Sequence, residues 1–178
     1  MRTLVIVAHP SLQTGSRINR ELTETVRSME DVTVHDLYQQ YPDGCIDIAA
    51  EQQLLLQHDR IVFQFPFWWY SSPPLLKHWF DQVLTFGWAY GPGGDKLRGK
   101  EWGVAVTTGG AAEAYGSGGY NRYTVEELTR PYEVTASLVG AAYLPVFTVH
   151  NAMQLTDEEL RRYAEDFAQH VTNVVRSR

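Results

Sequence analysis

Four short stretches carry the side chains that could do chemistry, and each follows or flanks an apolar run. The first is His9-Pro10, with Ser16, Arg17, Ile18 and Asn19 close behind. Leu4 to Ala8 reads as a buried strand, and Ser16 has the chemistry of a helix N-cap. A strand that feeds a loop and then a helix start presents backbone N–H groups and the positive end of a helix dipole, which favours a phosphate. The Ser16 hydroxyl, the Asn19 amide and the His9 imidazole are further donors at that strand end. The pattern is not Gly-x-x-x-x-Gly-Lys-Ser/Thr, so a Walker loop is excluded. It is not Gly-x-Gly-x-x-Gly either, which disfavours a Rossmann dinucleotide site.

The second stretch is Phe65-Pro66-Phe67-Trp68-Trp69-Tyr70-Ser71-Ser72-Pro73-Pro74, a stiff aromatic wall suited to a flat ring such as an isoalloxazine. The third is Thr107-Thr108-Gly109-Gly110, whose glycines let backbone N–H groups approach a ligand closely, against N1 and O2 of a flavin. The fourth is Tyr115 in a Gly-rich loop, with Tyr120, Asn121 and Tyr123 behind it, where a phenol could donate to the ring or to a developing hydroquinone oxygen. Taken singly, each has a plainer reading: a helix cap, a packed surface loop or dimer contact, a turn, a mobile cover. The functional reading rests on where the elements put them.

Apolar runs alternate with helical periodicity from end to end. Strands are predicted at Thr3–Ala8, Val32–Leu37, Arg60–Phe65, Glu101–Thr107 and Ala142–Val149. Helices are predicted at Ser16–Ser28, Ala49–His58, Pro74–Leu84, Val125–Val139 and Thr156–Val175. The fourth of these must tolerate Pro131 or begin near it. The last has Thr156 as N-cap and Glu159 completing a capping box. This alternation predicts a single α/β domain over residues 1–178, a doubly wound five-stranded parallel sheet of flavodoxin-like order 2-1-3-4-5 with helices on both faces. Its ligand crevice lies at the carboxyl ends of the first, third and fourth strands, where the unusual residues fall.

Composition narrows the partners. The 178 residues carry a formal net charge of -6, with 44% hydrophobic, 20% charged and 12% aromatic residues. No basic tract occurs, so nucleic acid is not expected as a partner. Cys45 is the single cysteine, which excludes an internal disulfide and fits a reducing compartment. It is expected to be small filler, buried or half-buried. His58, His78, His150 and His170 lack metal-ligand spacing, so no metal site is expected. No apolar run approaches a membrane span, and the expected address is the cytoplasm.

The ordered landmarks Ala8-His9-Pro10, Ser16-Arg17-Ile18-Asn19, Leu37-Tyr38, Asp47-Ile48, Phe65-Pro66, Trp69-Tyr70, Pro73-Pro74-Leu75-Leu76-Lys77, Gly87-Trp88-Ala89-Tyr90-Gly91 and Thr107-Thr108-Gly109-Gly110 resemble the flavodoxin-like NAD(P)H:quinone oxidoreductases of the DT-diaphorase superfamily. The match is to the bacterial branch that includes potassium-efflux ancillary oxidoreductases and general stress proteins. The resemblance implies a homodimeric flavoenzyme that takes hydride from NAD(P)H and reduces quinones by a ping-pong route, with nitroaromatics or azo compounds also admitted. It implies FMN, with FAD the choice of longer relatives, held by His9, Ser16 to Asn19, Phe67 to Tyr70 and Thr107 to Gly110. Gly87 to Gly91 would approach the partner subunit's site. Tyr115 falls at the family's catalytic Tyr, and Asn121 stands at or near the place of its downstream His, which this chain lacks. Two other readings follow: an ancillary subunit of a membrane potassium transporter, peripheral at the inner face of the membrane, and a one-electron carrier, which the His-Pro turn disfavours.

Overall fold

Residues 1–173 are described by a computed structural model, in which the apolar runs pair as one parallel sheet. Strands β1 (Thr3–Val7), β2 (Val32–Asp36), β3 (Arg60–Pro66) and β4 (Glu101–Thr107) lie within one residue of the predicted bounds. The order is β2-β1-β3-β4-β5, with β5 at Ala142–Tyr143 and β6 (Phe147–Val149) also paired to β4. Every pairing between these strands is parallel. Every residue of β1 and β3 is buried, as strands covered on both faces must be.

Alternate residues serve opposite faces. Leu4, Ile6, Phe63, Phe65 and Val104 pack with Leu55 of α4 (Ile48–Leu56), Trp79 of α5 (Pro74–Val83) and Ala136 of α7 (Arg130–Leu138). Val5, Val7, Val62 and Ala105 pack with Leu22 and Val26 of α2 (Arg17–Arg27) and with Phe167 of α8 (Asp157–Thr172). The expected two-faced helical cover is therefore present. Thr156 and Glu159 form the expected capping box at the start of α8. The predicted end of that helix at Val175 lies outside the described residues. Among them, no helix is long and apolar enough to cross a membrane.

Two expectations are corrected. The fifth strand is not continuous from Ala142 to Val149 but splits into β5 and β6. Pro145 has no N–H for a ladder bond, and Leu144 swings over Gly103, where even a Cβ would stand 3.2 Å from it. The helix expected at Val125–Val139 divides at Thr129 into α6 (Val125–Leu128) and α7, with Pro131 in the first turn of the latter, where its missing N–H does no harm. Two four-residue helices, α1 (Leu12–Gly15) and α3 (Leu37–Gln40), are too short to leave a periodic signal.

Candidate active site

The carboxyl ends of β1, β3 and β4 open into a cavity of about 680 Å³. His9 and Ser16 to Asn19 line it from the first loop, Phe67 and Trp68 from the second, and Thr107 to Gly109 from the third. Ala152 and Met153, from the segment between β6 and α8, complete the rim. The loops are cross-tied: Ala8 N–H donates to Gln64 O at 2.9 Å and Phe67 N–H to Thr107 O at 2.8 Å. Thr108 N–H donates to Val149 O at 2.9 Å.

At the first loop, His9 Nδ1 accepts the Ser11 N–H at 3.1 Å, so the ring proton sits on Nε2. Burial pushes the imidazole's pKa down, against a smaller upward pull from Asp36, so His9 is a neutral donor at pH 7. Ser16 caps α2, and its Oγ accepts from both the backbone N–H and the side-chain amide of Asn19, each at 3.1 Å. The Ser16 hydroxyl hydrogen remains free to donate. Asn19 does something other than the expected donation to a ligand. Its amide nitrogen also donates to Thr107 Oγ1 at 3.0 Å, so both amide hydrogens are committed to tying the first loop to the third. Gln64 supports it from β3 by donating to Asn19 O at 2.9 Å. The Arg17 guanidinium turns to Leu155 O and pairs with Asp157, pinning the start of α8 to the rim.

The aromatic stretch divides. Phe67 and Trp68 line the cavity, whereas Trp69 and Tyr70 do not. Trp68 and Ser71 exchange two backbone hydrogen bonds around a tight turn, with Trp69 at φ 47° and Tyr70 at φ 61°. Tyr70 lines a neighbouring apolar cavity of about 360 Å³, with Tyr90 and Tyr132, and its hydroxyl donates to Asn121 Oδ1 at 2.9 Å. Asn121 thus latches the Gly-rich loop to the aromatic turn.

At the third loop, the N–H groups of Gly109 and Gly110 have no acceptor among the described residues. A Cβ at Gly110 would stand 3.0 Å from Tyr120 Oη and 3.3 Å from Tyr115 Cε2, so glycine lets the tyrosine loop close over this backbone. Gly110 and Tyr115 sit behind the cavity lining. Burial raises the Tyr115 phenol's pKa, which keeps it protonated. Its ring lies 5.4 Å from that of His150, tilted by 41°. His150 Nδ1 stands 3.1 Å from Thr108 Oγ1. In the sequence alone His150 stands out only as a metal-ligand candidate without ligand spacing. Its position one residue past a strand end, at the same sheet edge as the other site groups, was the signal available. Cys45 is exposed, against expectation, in a turn where Asp43 Oδ1 accepts its N–H and pushes the thiol's pKa up. Among the described residues no cluster of His, Cys, Asp and Glu could hold a metal.

A hydroxyl, a neutral imidazole and a helix start at one end fit a phosphate. Apolar rings and free glycine N–H groups at the other fit a flat heterocycle with polar edge atoms. This donor set suits FMN.

Residues 1–171 match the family described as having a flavodoxin-like fold. The chain is 54% identical over 174 residues to the NAD(P)H oxidoreductase YdeQ of Bacillus subtilis, covering 98% of this chain and 88% of that one. It is 46% identical over 168 residues to the glutathione-regulated potassium-efflux system ancillary protein KefG of Yersinia enterocolitica, covering 94% and 91%. The general stress protein 14 of Treponema denticola, solved in complex with FMN, superposes with a TM-score of 0.89 at 42% identity, covering 94% and 95%. An NADPH-quinone reductase from P. pentosaceus superposes with a TM-score of 0.90 at 38% identity, covering 98% and 100%. The chain belongs to the flavodoxin-like family of NAD(P)H oxidoreductases.

Proposed function

We propose that this protein is an FMN-dependent NAD(P)H:quinone oxidoreductase that works by two-electron, ping-pong hydride transfer. The observation that carries the reading is one cavity that joins phosphate-type donors on His9 and Ser16 to the unpaired N–H of Gly109, with that of Gly110 just behind its lining. Relatives solved with FMN or named as quinone reductases support it. The bound flavin supplies hydride acceptance from NAD(P)H and hydride donation to the acceptor. His9 Nε2–H, the Ser16 hydroxyl and the start of α2 hold the phosphate. Arg17 and Ile18 form the rim beside it, and Asn19 keeps the loop in register with Thr107. Phe67 and Trp68 would flank the ring, and the Thr107 to Gly110 loop would offer its polar edge N–H dipoles that favour the negative charge reduction brings. Tyr115, behind the lining, keeps its phenol protonated beside Thr108. Asn121 cannot titrate, and its part is to hold Tyr70. Trp69 and Tyr70 face outward, toward a second copy of the chain whose Gly87 to Gly91 segment completes the acceptor slot. Such an open slot also admits nitroaromatics and azo compounds.

The similarity to KefG favours a second, compatible reading: a cytoplasmic ancillary subunit seated at the inner face of the membrane on a potassium transporter. Co-purification with the transporter, or a transport defect separable from turnover, would distinguish it.

The first measurement is the visible spectrum of the purified protein, followed by stopped-flow mixing with NADPH and then a benzoquinone. Flavin bands that bleach with NADPH and return with quinone, in one two-electron phase each, are expected. Failure to bind FMN even after reconstitution would remove the assignment of both cavity ends.

A further inference from the structure

We propose that His150 takes up a solvent proton when the bound flavin is reduced and releases it to the acceptor when the flavin is reoxidised, acting through the Thr108 hydroxyl. The inference rests on the flavin reading above and assigns a role to a residue outside the cavity lining.

The argument begins with a single hydrogen. Thr108 Oγ1 lies 3.1 Å from His150 Nδ1 and 2.8 Å from Gly110 O. A hydroxyl has one hydrogen and two lone pairs, so it cannot donate to both. With His150 neutral and its proton on Nε2, the Thr108 hydroxyl donates to Nδ1. With His150 protonated, Nδ1–H donates to Thr108 Oγ1, and the hydroxyl hydrogen turns to Gly110 O. Gly110 O is not orphaned in the first arrangement, because the Asn151 N–H also donates to it, at 2.9 Å. His150 therefore gains or loses a proton with no heavy atom displaced: the Thr108 hydroxyl trades Gly110 O for Nδ1, and the Asn151 N–H keeps Gly110 O partnered in both arrangements. A histidine serving only as a spacer needs no such reversal.

The surroundings hold the imidazole ready to respond. Burial pushes its pKa below the ordinary histidine value, against upward pulls from the Glu126 and Glu113 carboxylates. It is neutral at rest at pH 7. Tyr115 covers one side of the ring but stays protonated itself, with Tyr70 and Tyr120 the other phenols near it. Thr107 to Gly110 form the loop expected to face the charge that accumulates on reduction. Negative charge gathering at that loop would stabilise the imidazolium. The stoichiometry also calls for a proton store. NAD(P)H, a quinone and one proton give NAD(P)⁺ and the hydroquinone. The hydride carries both electrons and one proton, and the second proton is the one held on His150 between the half-reactions.

The test uses the FMN-loaded protein with isotope-labelled histidine, titrated by NMR in its oxidised and reduced states. The His150 signal is assigned by its loss in H150Q. The expected result is a His150 proton affinity raised at least tenfold on reduction. The same pKa in both states overturns the proposal. A second readout is the pH dependence of the flavin midpoint potential. Glutamine keeps a hydrogen bond to Thr108 but cannot titrate, so near neutral pH the wild type should take up one more proton per two electrons than H150Q. Equal slopes overturn the proposal too, and where H150Q fails to fold, H150N supplies both the assignment and the slope. A protein that binds no FMN removes this reading and the parent one together. A protein that binds FMN but shows redox-independent titration removes this one alone.

Discussion

Glu51 is 1% exposed and yet carries a carboxylate that serves no ligand. His35 Nε2 at 2.8 Å and the Tyr41 hydroxyl at 2.6 Å meet one of its oxygens, and the Trp79 indole N–H at 2.7 Å meets the other. Burial alone would push the carboxyl's pKa up, but these three partners together hold it below the ordinary value of 4.5. A group whose folded pKa is depressed contributes stability above its unfolded pKa, and that contribution is lost as the pH falls through the folded value. Replacing Glu51 by Gln should cost about 1–3 kcal/mol at pH 7, since a neutral amide cannot serve all three partners. The gap to wild type should shrink as the pH falls below 4.5. Urea midpoints at pH 7 and at pH 3.5 check this, and a gap independent of pH would sink it. Nothing in the sequence pointed to this carboxylate. Its partners come from β2, α5 and the end of α3, and only the folded chain gathers them. Asn19 is the opposite case, since its motif was legible but its role was not. Which acceptors take its two amide hydrogens is decided by Thr107, 88 positions away in the chain.

Elements were legible where one physical rule dominated. Apolar runs buried on both faces marked β1, β3 and β4, and the Thr156–Glu159 pair marked the start of α8. The rules failed where tertiary contact overrode them. Ala142 to Val149 has the composition of one strand, but Leu144 over Gly103 and the missing N–H of Pro145 break it. The turn at Trp68–Ser71 is a sharper instance. Turns with two central residues at positive φ favour Asn and Gly, and Trp69-Tyr70 carries no such signal. A left-handed conformation costs a bulky L-residue about 1–2 kcal/mol, and strain of this kind gathers at functional sites. Trp69 is 93% exposed, so its side chain loses almost no contact when replaced. In a chain kept monomeric by Leu138→Glu, where no partner covers Trp69, Trp69→Asn should therefore stabilise the protein by about 1 kcal/mol, a rise of roughly 2–4 °C in thermal midpoint for a chain of this size. A calorimetric scan of the two proteins measures the shift. An unchanged or lowered midpoint would mean that the turn is not strained or that Trp69 packs on something in solution.

At the scale of the molecule, the unexplained feature is apolar surface. Trp69, Phe86 (68% exposed), Val134 (65%) and Leu138 (64%) are large hydrophobic side chains left in solvent. The apolar cavity of about 360 Å³ is lined by Tyr70, Phe80, Leu84, Tyr90, Leu128 and Leu138. A monomeric protein seldom leaves such a set of groups uncovered. An isologous contact with a second copy would cover the same patch on both chains at once. Tyr70 joins this surface to the site, because its ring lines the outer cavity while its hydroxyl holds Asn121. Assembly and catalysis would then be coupled through one side chain. Leu138→Glu places a charge in the expected contact without touching the loops proposed to bind FMN. Sedimentation should show a wild-type dimer and a monomeric variant, and the variant should keep the FMN spectrum while losing at least tenfold in quinone turnover. A wild type that sediments as a monomer at micromolar concentration would remove the dimer. A monomeric variant with full turnover would leave the dimer standing but free the acceptor slot from any need of the partner subunit.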